Sequence, residues 1–216
     1  MTQLYLLSAP QARARPRAFG SAWFPERLAR AERMPPDAAA LCLAAGALTA
    51  GVLRLHDCDQ HTGPYGKPET PGVFWNLSHS GEYALLAVSD ADVGADLERL
   101  RPAPMRAAGR VFAPEELDWL AAGEDGDARF FTLWTLKEAL LKAAGRGLTQ
   151  PLREVNVLPL LRGQAAATPE GAFFGHTQLF DGYCLSVCTR SAAPPSAPRR
   201  LTAADILRKT ITGGSE

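Results

Sequence analysis

The spacing of apolar residues divides the chain into strands and helices. Short or alternating apolar runs predict strands at 4–9, 73–80, 83–89, 92–98, 172–180 and 183–189. Longer runs predict helices at 26–34, 37–55, 105–112, 114–122, from about Asp127 to the glycines at 145–147, and a short one at 203–209. Short turns between the strands at 73–98 favour an antiparallel meander, and Asp181-Gly182 predicts a tight hairpin. The order strand, helices, strands, helices, strands predicts the α+β class, with two halves of similar size and plan.

The boundary between the halves is expected at the Pro-rich stretch 99–104. Residues 1–100 then form an N-terminal α+β half and residues 101–190 a C-terminal α+β half. The segment 191–216 is rich in Pro, Ser and Arg, and we expect it to be a peripheral tail.

The helix that ends near residue 145 has no polar face of its own. Projected at 100° per residue, Lys137 falls among apolar side chains. Glu138 falls in the same arc as Trp134, and Lys142 follows Glu138 one turn later. A surface helix normally confines its charges to one face, so these three charged residues need another explanation.

Two further carboxylates lie on one face of a strand. Asp96 and Glu98 are two residues apart, so both project from the same side. With Glu138 they form a set that suits Mg²⁺, which carboxylates, water and phosphate oxygens usually bind. The alternative for Asp96 and Glu98 is a solvated strand end. Lys142 is either half of an exposed Glu–Lys pair or a phosphate ligand beside the metal.

Residues that suit anion binding precede this strand. Ser78 and His79 lie in "NLSHSG", where no acidic partner stands at a fixed spacing and no G-x-S-x-G elbow is present. Anion binding is therefore preferred to a Ser–His nucleophilic pair. Lys67, in a loop of turn residues, would be a point-charge ligand of a phosphate.

Composition favours a globular protein without affinity for polyanions. Of 216 residues, 46% are hydrophobic and 21% charged, and 23 basic residues balance 23 acidic ones. Residues 38–53 are too short and too rich in Ala and Gly to span a bilayer, so a buried core helix is expected there. The four cysteines lack zinc-site spacing and are expected to be free thiols. With no signal peptide evident, we expect a cytoplasmic protein.

Four segments in order resemble the Sfp-type 4′-phosphopantetheinyl transferase family. They are "GKPETP" (66–71), "WNLSHSG" (75–81), "VGADLE" (93–98) and "FTLWTLKEALLKAAGRGL" (131–148). The last two resemble the family motifs G-[IV]-D-x-E and W-x-x-K-E-x-x-x-K. Ala95 replaces the usual β-branched residue, and the helix starting near Asp37 lacks the family's early basic residue.

The resemblance implies a fold, a reaction and its partners. The fold is a pseudo-twofold pair of α+β halves with the active site in the cleft between them. The reaction transfers the phosphopantetheine arm of coenzyme A to a serine of an apo acyl or peptidyl carrier protein and releases adenosine 3′,5′-bisphosphate. Mg²⁺, or Mn²⁺ in its place, is the implied metal. A monomer is expected, because the chain is about twice as long as the trimeric holo-carrier-protein synthases.

The resemblance also assigns residues. Asp96, Glu98 and Glu138 are the implied metal ligands, and Lys142 is the implied pyrophosphate contact and acid for the leaving group. The implied coenzyme A contacts are Gly66, Lys67, Pro68, Ser78, His79, Asp96 and Lys142, with Arg30 and Arg33 as candidates for the missing basic residue. Glu116 is the implied base on the carrier serine, with Glu115 as its competitor.

These assignments explain why the helix that ends near residue 145 carries charged residues among apolar ones. We expect it to face a charged cleft lined by Trp134, with Lys137 either pairing with an acid across the cleft or reaching water at its rim. A carrier-binding patch including Arg106, Arg110 and Arg146 is expected on the C-terminal half.

Three other interpretations remain at this stage. An unrelated Mg²⁺-dependent phosphotransferase or nuclease could use the same acids, but a nuclease should carry a basic stripe. A catalytically silent carrier-binding module should have lost a metal ligand, and all three are present. The third is the short, trimeric synthase type within the family.

Overall fold

The computed structural model describes residues 1–13, 25–54, 61–63, 67–145, 147 and 151–206. Its helices are α1 (Ala9–Arg13), α2 (Pro25–Ala31), α3 (Pro36–Leu48), α4 (Ala108–Val111), α5 (Pro114–Ala121), α6 (Gly126–Ala144) and α7 (Leu158–Leu161). Its strands are β1 (Gln3–Ser8), β2 (His61–Thr62), β3 (Pro68–Glu69), β4 (Phe74–Ser80), β5 (Tyr83–Ser89), β6 (Val93–Arg99), β7 (Ala166–Thr168), β8 (Gly171–Phe180), β9 (Tyr183–Thr189) and β10 (Arg199–Leu201). A π-helical turn (Thr49–Leu53) extends α3.

The N-terminal half is a four-stranded sheet covered by α3. Its strand order is β10-β1-β5-β4, with β4 and β5 forming the expected hairpin. Buried residues of α3, including Leu43 and Leu48, pack with Leu7, Trp75 and Leu86 of the sheet. Hydrophobic burial of this kind is what holds a helix of low polarity on a sheet.

The segment 36–53 is long and apolar enough to cross a membrane by composition, with a mean hydropathy of 1.5. In the structure 56% of this segment is buried. Core helices of globular proteins pass the same composition test, and the packing of α3 on its sheet is that of a core helix. The predicted core helix agrees with this packing, whereas the premise that the segment is too short and not apolar enough to span a bilayer does not hold for residues 36–53.

The C-terminal half is a second four-stranded sheet covered by α6. Its strand order is β6-β9-β8-β7, and β8 and β9 are joined by the turn at Asp181 and Gly182, with φ of 46° and 75°. Positive φ at both central residues is the geometry that an Asp-Gly hairpin favours. Phe131, Leu136 and Leu140 of α6 are buried with Phe173 and Cys188 of this sheet. The predicted α+β class is confirmed.

The predicted meander is wrong in its third strand. β6 does not hydrogen-bond to β5 but pairs along its whole length with β9. The strand that carries Asp96 and Glu98 therefore belongs to the sheet of the C-terminal half, although residues 1–100 were expected to form the N-terminal one. The reason is packing: Leu97 and Ala95 of β6 are buried against Leu85 of β5, face to face.

Residues beyond 191 are not all peripheral. β10 adds a parallel strand to β1, and Leu201 and Ile206 are buried at 4% and 0% exposure. Both side chains pack in the core under α3, and residues 203–206 are helical as predicted. The expectation of a peripheral tail is therefore wrong for residues 199–206, because apolar residues there complete the N-terminal core.

The cysteines follow the expectation where they are described. Cys42, Cys184 and Cys188 are free thiols, and Cys58 lies outside the described residues. Burial raises the pKa of the Cys188 thiol strongly, so this thiol stays protonated and inert.

Gly94 brings β6 and α6 unusually close together. A Cβ at this position would lie 2.0 Å from the carbonyl oxygen of Ala139 and 2.3 Å from the backbone nitrogen of Ala143. Only glycine allows the two backbones to approach so closely. This contact places the last turns of α6, which carry Glu138 and Lys142, beside Asp96.

Candidate active site

The edge strand β4 of the N-terminal sheet meets the edge strand β6 of the C-terminal sheet, and we call this contact the joint. β6 is an edge strand, so its outward backbone N–H groups need partners other than a neighbouring strand. Side-chain oxygens of β4 accept them: Asn76 from Ala95, Ser78 from Leu97 and Ser80 from Arg99, at 2.9, 3.2 and 3.1 Å. The candidate site lies along this joint.

Asp96 and Lys142 form the centre of the site. The ammonium of Lys142 lies 2.6 Å from Oδ1 of Asp96 and also donates to the Ala95 carbonyl at 3.2 Å. The Ser78 hydroxyl donates to the same carboxylate oxygen at 2.8 Å. Asp96 is buried, and burial raises its pKa while Lys142 and Ser78 oppose that rise.

Glu98 and Glu138 add negative charge near Asp96. The pKa of Glu138 is raised first by burial and then by the negative charge of Asp96, with Glu98 adding to the rise and Lys142 opposing it. Glu98, with 22% of its side chain exposed, accepts from Ser80 at 2.8 Å and from Arg101 at 3.0 Å. The structure thus brings the three predicted carboxylates and Lys142 into one electrostatic neighbourhood.

The donor set fits a hard divalent cation. Within the described ranges, no three His, Cys, Asp or Glu side chains already stand in a metal-binding arrangement. Mg²⁺ usually takes only one or two protein carboxylates, however, and fills its shell with water and substrate phosphates. Oδ2 of Asp96 is buried and has no hydrogen-bond partner among the described residues, so one ligand oxygen remains available. A cation would also offset the repulsion from Asp96 and Glu98, which adds to the effect of burial in raising the pKa of Glu138.

A sequence profile of the 4′-phosphopantetheinyl transferase superfamily matches residues 92–188, which include β6 and α6. The chain is 34% identical over 153 residues to "4′-phosphopantetheinyl transferase psf-1" of Bacillus pumilus, covering 67% of this chain and 66% of the relative. It is 32% identical over 150 residues to "4′-phosphopantetheinyl transferase Sfp" of Bacillus subtilis, covering 65% and 66%. The chain belongs to the 4′-phosphopantetheinyl transferase superfamily.

Two further proteins are similar to this chain over part of its length. A putative 4′-phosphopantetheinyl transferase of Synechocystis is 37% identical over 147 residues, covering 60% of each chain. The matches thus span just under two thirds of the length of these relatives. The Thermotoga maritima holo-[acyl-carrier-protein] synthase structure has 16% identity and a TM-score of 0.36, with 45% of this chain and 61% of that chain covered.

Of the residues that the phosphopantetheinyl transferase resemblance assigns to coenzyme A, Ser78 contacts both Asp96 and Lys142. Ser78 is buried and faces β6, whereas His79 is exposed, as the alternation of a strand requires. Arg30 in the last turn of α2 and Arg33 just after it are also exposed. No hydrogen bond or ion pair in the described parts of the chain joins either arginine to Ser78 or His79.

Lys67 and Pro68 line a cavity of about 340 Å³ with Trp75, Asp92 and Val93. The Lys67 ammonium donates to the Val93 carbonyl at 3.2 Å, next to the start of β6. Burial lowers the pKa of Lys67, and the nearby carboxylates Asp92 and Glu69 oppose that change. Gly66 lies outside the described residues.

Glu116 does not occupy the position that its implied role as a base requires. Its side chain is fully buried and lies 2.6 Å from the ammonium of Lys137. Its two oxygens accept the backbone N–H groups of Ala113 and Val157 at 2.7 and 2.8 Å. A carboxylate held this way cannot contact a serine of another protein, so this assignment is wrong. Glu115, its competitor, is exposed on the first turn of α5.

Lys137 also differs from both of its predicted placements. It neither crosses a cleft nor reaches water, because its side chain is fully buried within the C-terminal half. It donates to the carbonyl groups of Leu152 and Val155 as well as to Glu116. Lys137 thus ties α6 to α5 and to the segment before α7.

Glu98 also lines a mostly apolar cavity of about 220 Å³. Trp134 lines it together with Phe131, Val111 and Arg101, so the cavity at Trp134 is mostly apolar, whereas a charged cleft was predicted there. Arg106 and Arg110 are exposed on the helical segment beside it, and Arg146 lies outside the described residues.

Sequence reasoning missed Asn76 and Ser80 as side chains of the joint between the two sheets. The available signal was their spacing with Ser78, since residues i, i+2 and i+4 of a strand share one face. Three polar side chains on one face of a strand indicate a face that meets polar groups.

Proposed function

We propose that this protein transfers the 4′-phosphopantetheine arm of coenzyme A to a serine of an apo acyl or peptidyl carrier protein and releases adenosine 3′,5′-bisphosphate. The observation that carries this proposal is the ion pair of Asp96 and Lys142 at the joint between the two sheets. Glu98 lies on the same strand as Asp96, and the charges of Asp96 and Glu98 add to the rise in the pKa of Glu138 that burial causes. Three carboxylates with one ammonium form a centre suited to a cation and a pyrophosphate together.

Asp96, Glu98 and Glu138 would hold Mg²⁺, or Mn²⁺ in its place. When bound, the cation supplies Lewis-acid polarisation and neutralises charge on phosphate oxygens. The free Oδ2 of Asp96 supports this assignment.

Lys142 would bind the pyrophosphate and stabilise the leaving group. Its side chain is 28% exposed, so it can reach a ligand while keeping its contact with Asp96. Attack of the carrier serine on the β-phosphorus places growing negative charge on the departing bisphosphate. A fixed ammonium offsets that charge and can donate a proton to the leaving oxygen.

The two cavities suggest how coenzyme A would lie across the site. The adenine end would occupy the cavity lined by Lys67 and Pro68, and the uncharged arm would suit the apolar cavity beside Trp134. His79, Arg30 and Arg33 are exposed, and we assign the 3′-phosphate to these three side chains. Ser78 would contribute mainly through Asp96, since its hydroxyl already donates there.

The carrier would bind to the C-terminal half. Met105, with 42% exposure, lies beside Arg106 and Arg110, a combination that suits an acidic helix with apolar side chains. Carriers of fatty-acid, polyketide, nonribosomal-peptide and siderophore synthesis are all candidates. A cytoplasmic monomer that binds neither nucleic acid nor membranes completes the proposal.

The test is intact-protein mass spectrometry of apo carrier proteins from several pathways, incubated with coenzyme A, Mg²⁺ and the protein. We expect a mass gain of one phosphopantetheine per carrier, lost with chelator and reduced at least 100-fold by Glu138→Gln. Glu124→Gln, an exposed glutamate before α6, is the matched control and should retain full activity. No gain on any carrier, with coenzyme A still bound in calorimetry, would favour a silent binding protein.

A further inference from the structure

The same arrangement of two hydrogen bonds around a serine hydroxyl occurs at two positions of the joint. The Ser78 hydroxyl accepts the N–H of Leu97 and donates to Asp96, the residue just before Leu97. Two positions later, the Ser80 hydroxyl accepts the N–H of Arg99 and donates to Glu98. Both hydroxyl–carboxylate distances are 2.8 Å.

One hydroxyl can make both bonds because it has one hydrogen and two lone pairs. The backbone N–H takes a lone pair, which turns the hydrogen towards the carboxylate. Each serine is thereby oriented by β6 and in turn orients a carboxylate of β6. The donors come from the N-terminal sheet and the carboxylates from the C-terminal sheet, so the carboxylate geometry depends on how the two sheets meet.

We propose that Ser80 is a positioning residue of the metal site, acting on Glu98 as Ser78 acts on Asp96. This inference rests on the proposed function, since it assigns Ser80 to the carboxylates that would hold the cation. Ser80 fixes Glu98 on the β4 side of the joint. The competing partner is Arg101, which contacts the same Oε2 from an exposed position at 3.0 Å. Without the hydroxyl, Arg101 draws Glu98 towards solvent and away from Asp96.

Asn76 supplies an internal control for this proposal. It makes the third bond of the joint, accepting the N–H of Ala95 at 2.9 Å, and it is buried. Among the hydrogen bonds of the described residues, none links Asn76 to a carboxylate. Removing Asn76 therefore weakens the joint without removing a donor to a metal ligand.

The experiment measures Mn²⁺ binding by electron paramagnetic resonance, with coenzyme A present and a coenzyme A blank subtracted. We expect Ser80→Ala to weaken Mn²⁺ binding about tenfold, as removal of a hydrogen-bond donor to a metal ligand typically does. Ser80→Thr keeps a hydroxyl in a strand and should restore the affinity. Asn76→Ala should keep the wild-type affinity while lowering the free energy of unfolding in urea.

The outcomes separate the inference from the function on which it rests. Wild-type affinity in Ser80→Ala would overturn the positioning role and leave the proposed function intact. An equal loss in Asn76→Ala would also overturn it, because a weakened joint alone would then explain the effect. A wild-type protein that binds no Mn²⁺ would overturn both the metal site and the positioning role.

Discussion

Lys137 and Glu138 are neighbours in the chain but lie in two different environments. A step of 100° around α6 turns Lys137 into the core of the C-terminal half and Glu138 towards the site. Burial lowers the pKa of Lys137 and raises the pKa of Glu138, because it disfavours the charged form of each side chain. The two residues differ in the groups that surround the charge. Lys137 has Glu116 as an ion-pair partner, whereas Glu138 has neighbouring carboxylates that a cation would balance.

At this scale we predict that Glu116→Gln destabilises the fold. It leaves the buried ammonium of Lys137 without a counter-charge and places an amide where two backbone N–H groups need acceptors. Breaking one side of a buried pair costs about 3–5 kcal/mol, which urea unfolding would measure. Glu115→Gln, on the exposed side of the same turn, should change the free energy of unfolding by less than about 0.5 kcal/mol.

The same pair of variants tests the rejected catalytic role. If Glu116→Gln kept the wild-type stability but lost carrier modification, Glu116 would act on the substrate after all. We expect instead that any loss of activity follows the fraction of protein that is unfolded.

At the scale of elements, the sequence predicted whether a segment is a helix or a strand better than it predicted which strands pair. The helical period and the strand alternation placed α3, α6, β4, β5 and β6 close to their observed bounds. The pairing of β6 could not be predicted, because short turns on both sides are as compatible with a meander as with a strand that leaves its sheet. What separates β6 from β5 is face-to-face burial of Ala95 and Leu97, which depends on the assembled core.

The close contact between β6 and α6 gives the element-scale prediction. Gly94→Ala places a Cβ 2.0 Å from a backbone oxygen and 2.3 Å from a backbone nitrogen of α6, and neither atom can rotate away as a side chain could. The helix must move, which costs about 3 kcal/mol or more and shifts Lys142 away from Asp96. We expect lower stability in urea unfolding and, in the folded fraction, weaker coenzyme A binding in calorimetry.

Gly109→Ala is the matched control for this prediction. Gly109 lies in α4, and nothing lies within 4 Å of the Cβ it would gain. Alanine there should leave the free energy of unfolding unchanged or raise it by up to about 1 kcal/mol. Equal behaviour of the two alanine variants would refute the argument that close backbone approach demands glycine at position 94.

At the scale of the whole molecule, the site depends on contacts between segments far apart in the sequence. The motifs predicted the carboxylates and Lys142 as one site because their residue types and spacing suit a metal and a phosphate, and the structure places Asp96 and Lys142 in contact. Glu116 was misassigned because a motif position does not state burial, and Ser80 was missed because its partner lies in another sheet. The segment after 191 was misjudged because its composition is polar overall, although Leu201 and Ile206 are buried.

The burial of Ile206 gives the prediction at the scale of the whole molecule. Ile206 is fully buried, and its side chain lies 2.8 Å from where a Cβ of Gly51 would stand, so the end of the described chain packs against the turn that extends α3. Ile206→Ala removes buried methyl groups and leaves a cavity, which costs about 2–5 kcal/mol in urea unfolding. Leu179→Ala, at a site with 53% exposure, should cost far less. Because the N-terminal sheet also supplies Ser78 and Ser80 to the joint, we expect Ile206→Ala to lower the temperature at which Mn²⁺ binding is lost. If Ile206→Ala matched Leu179→Ala in stability, the segment would be peripheral, as its composition suggested.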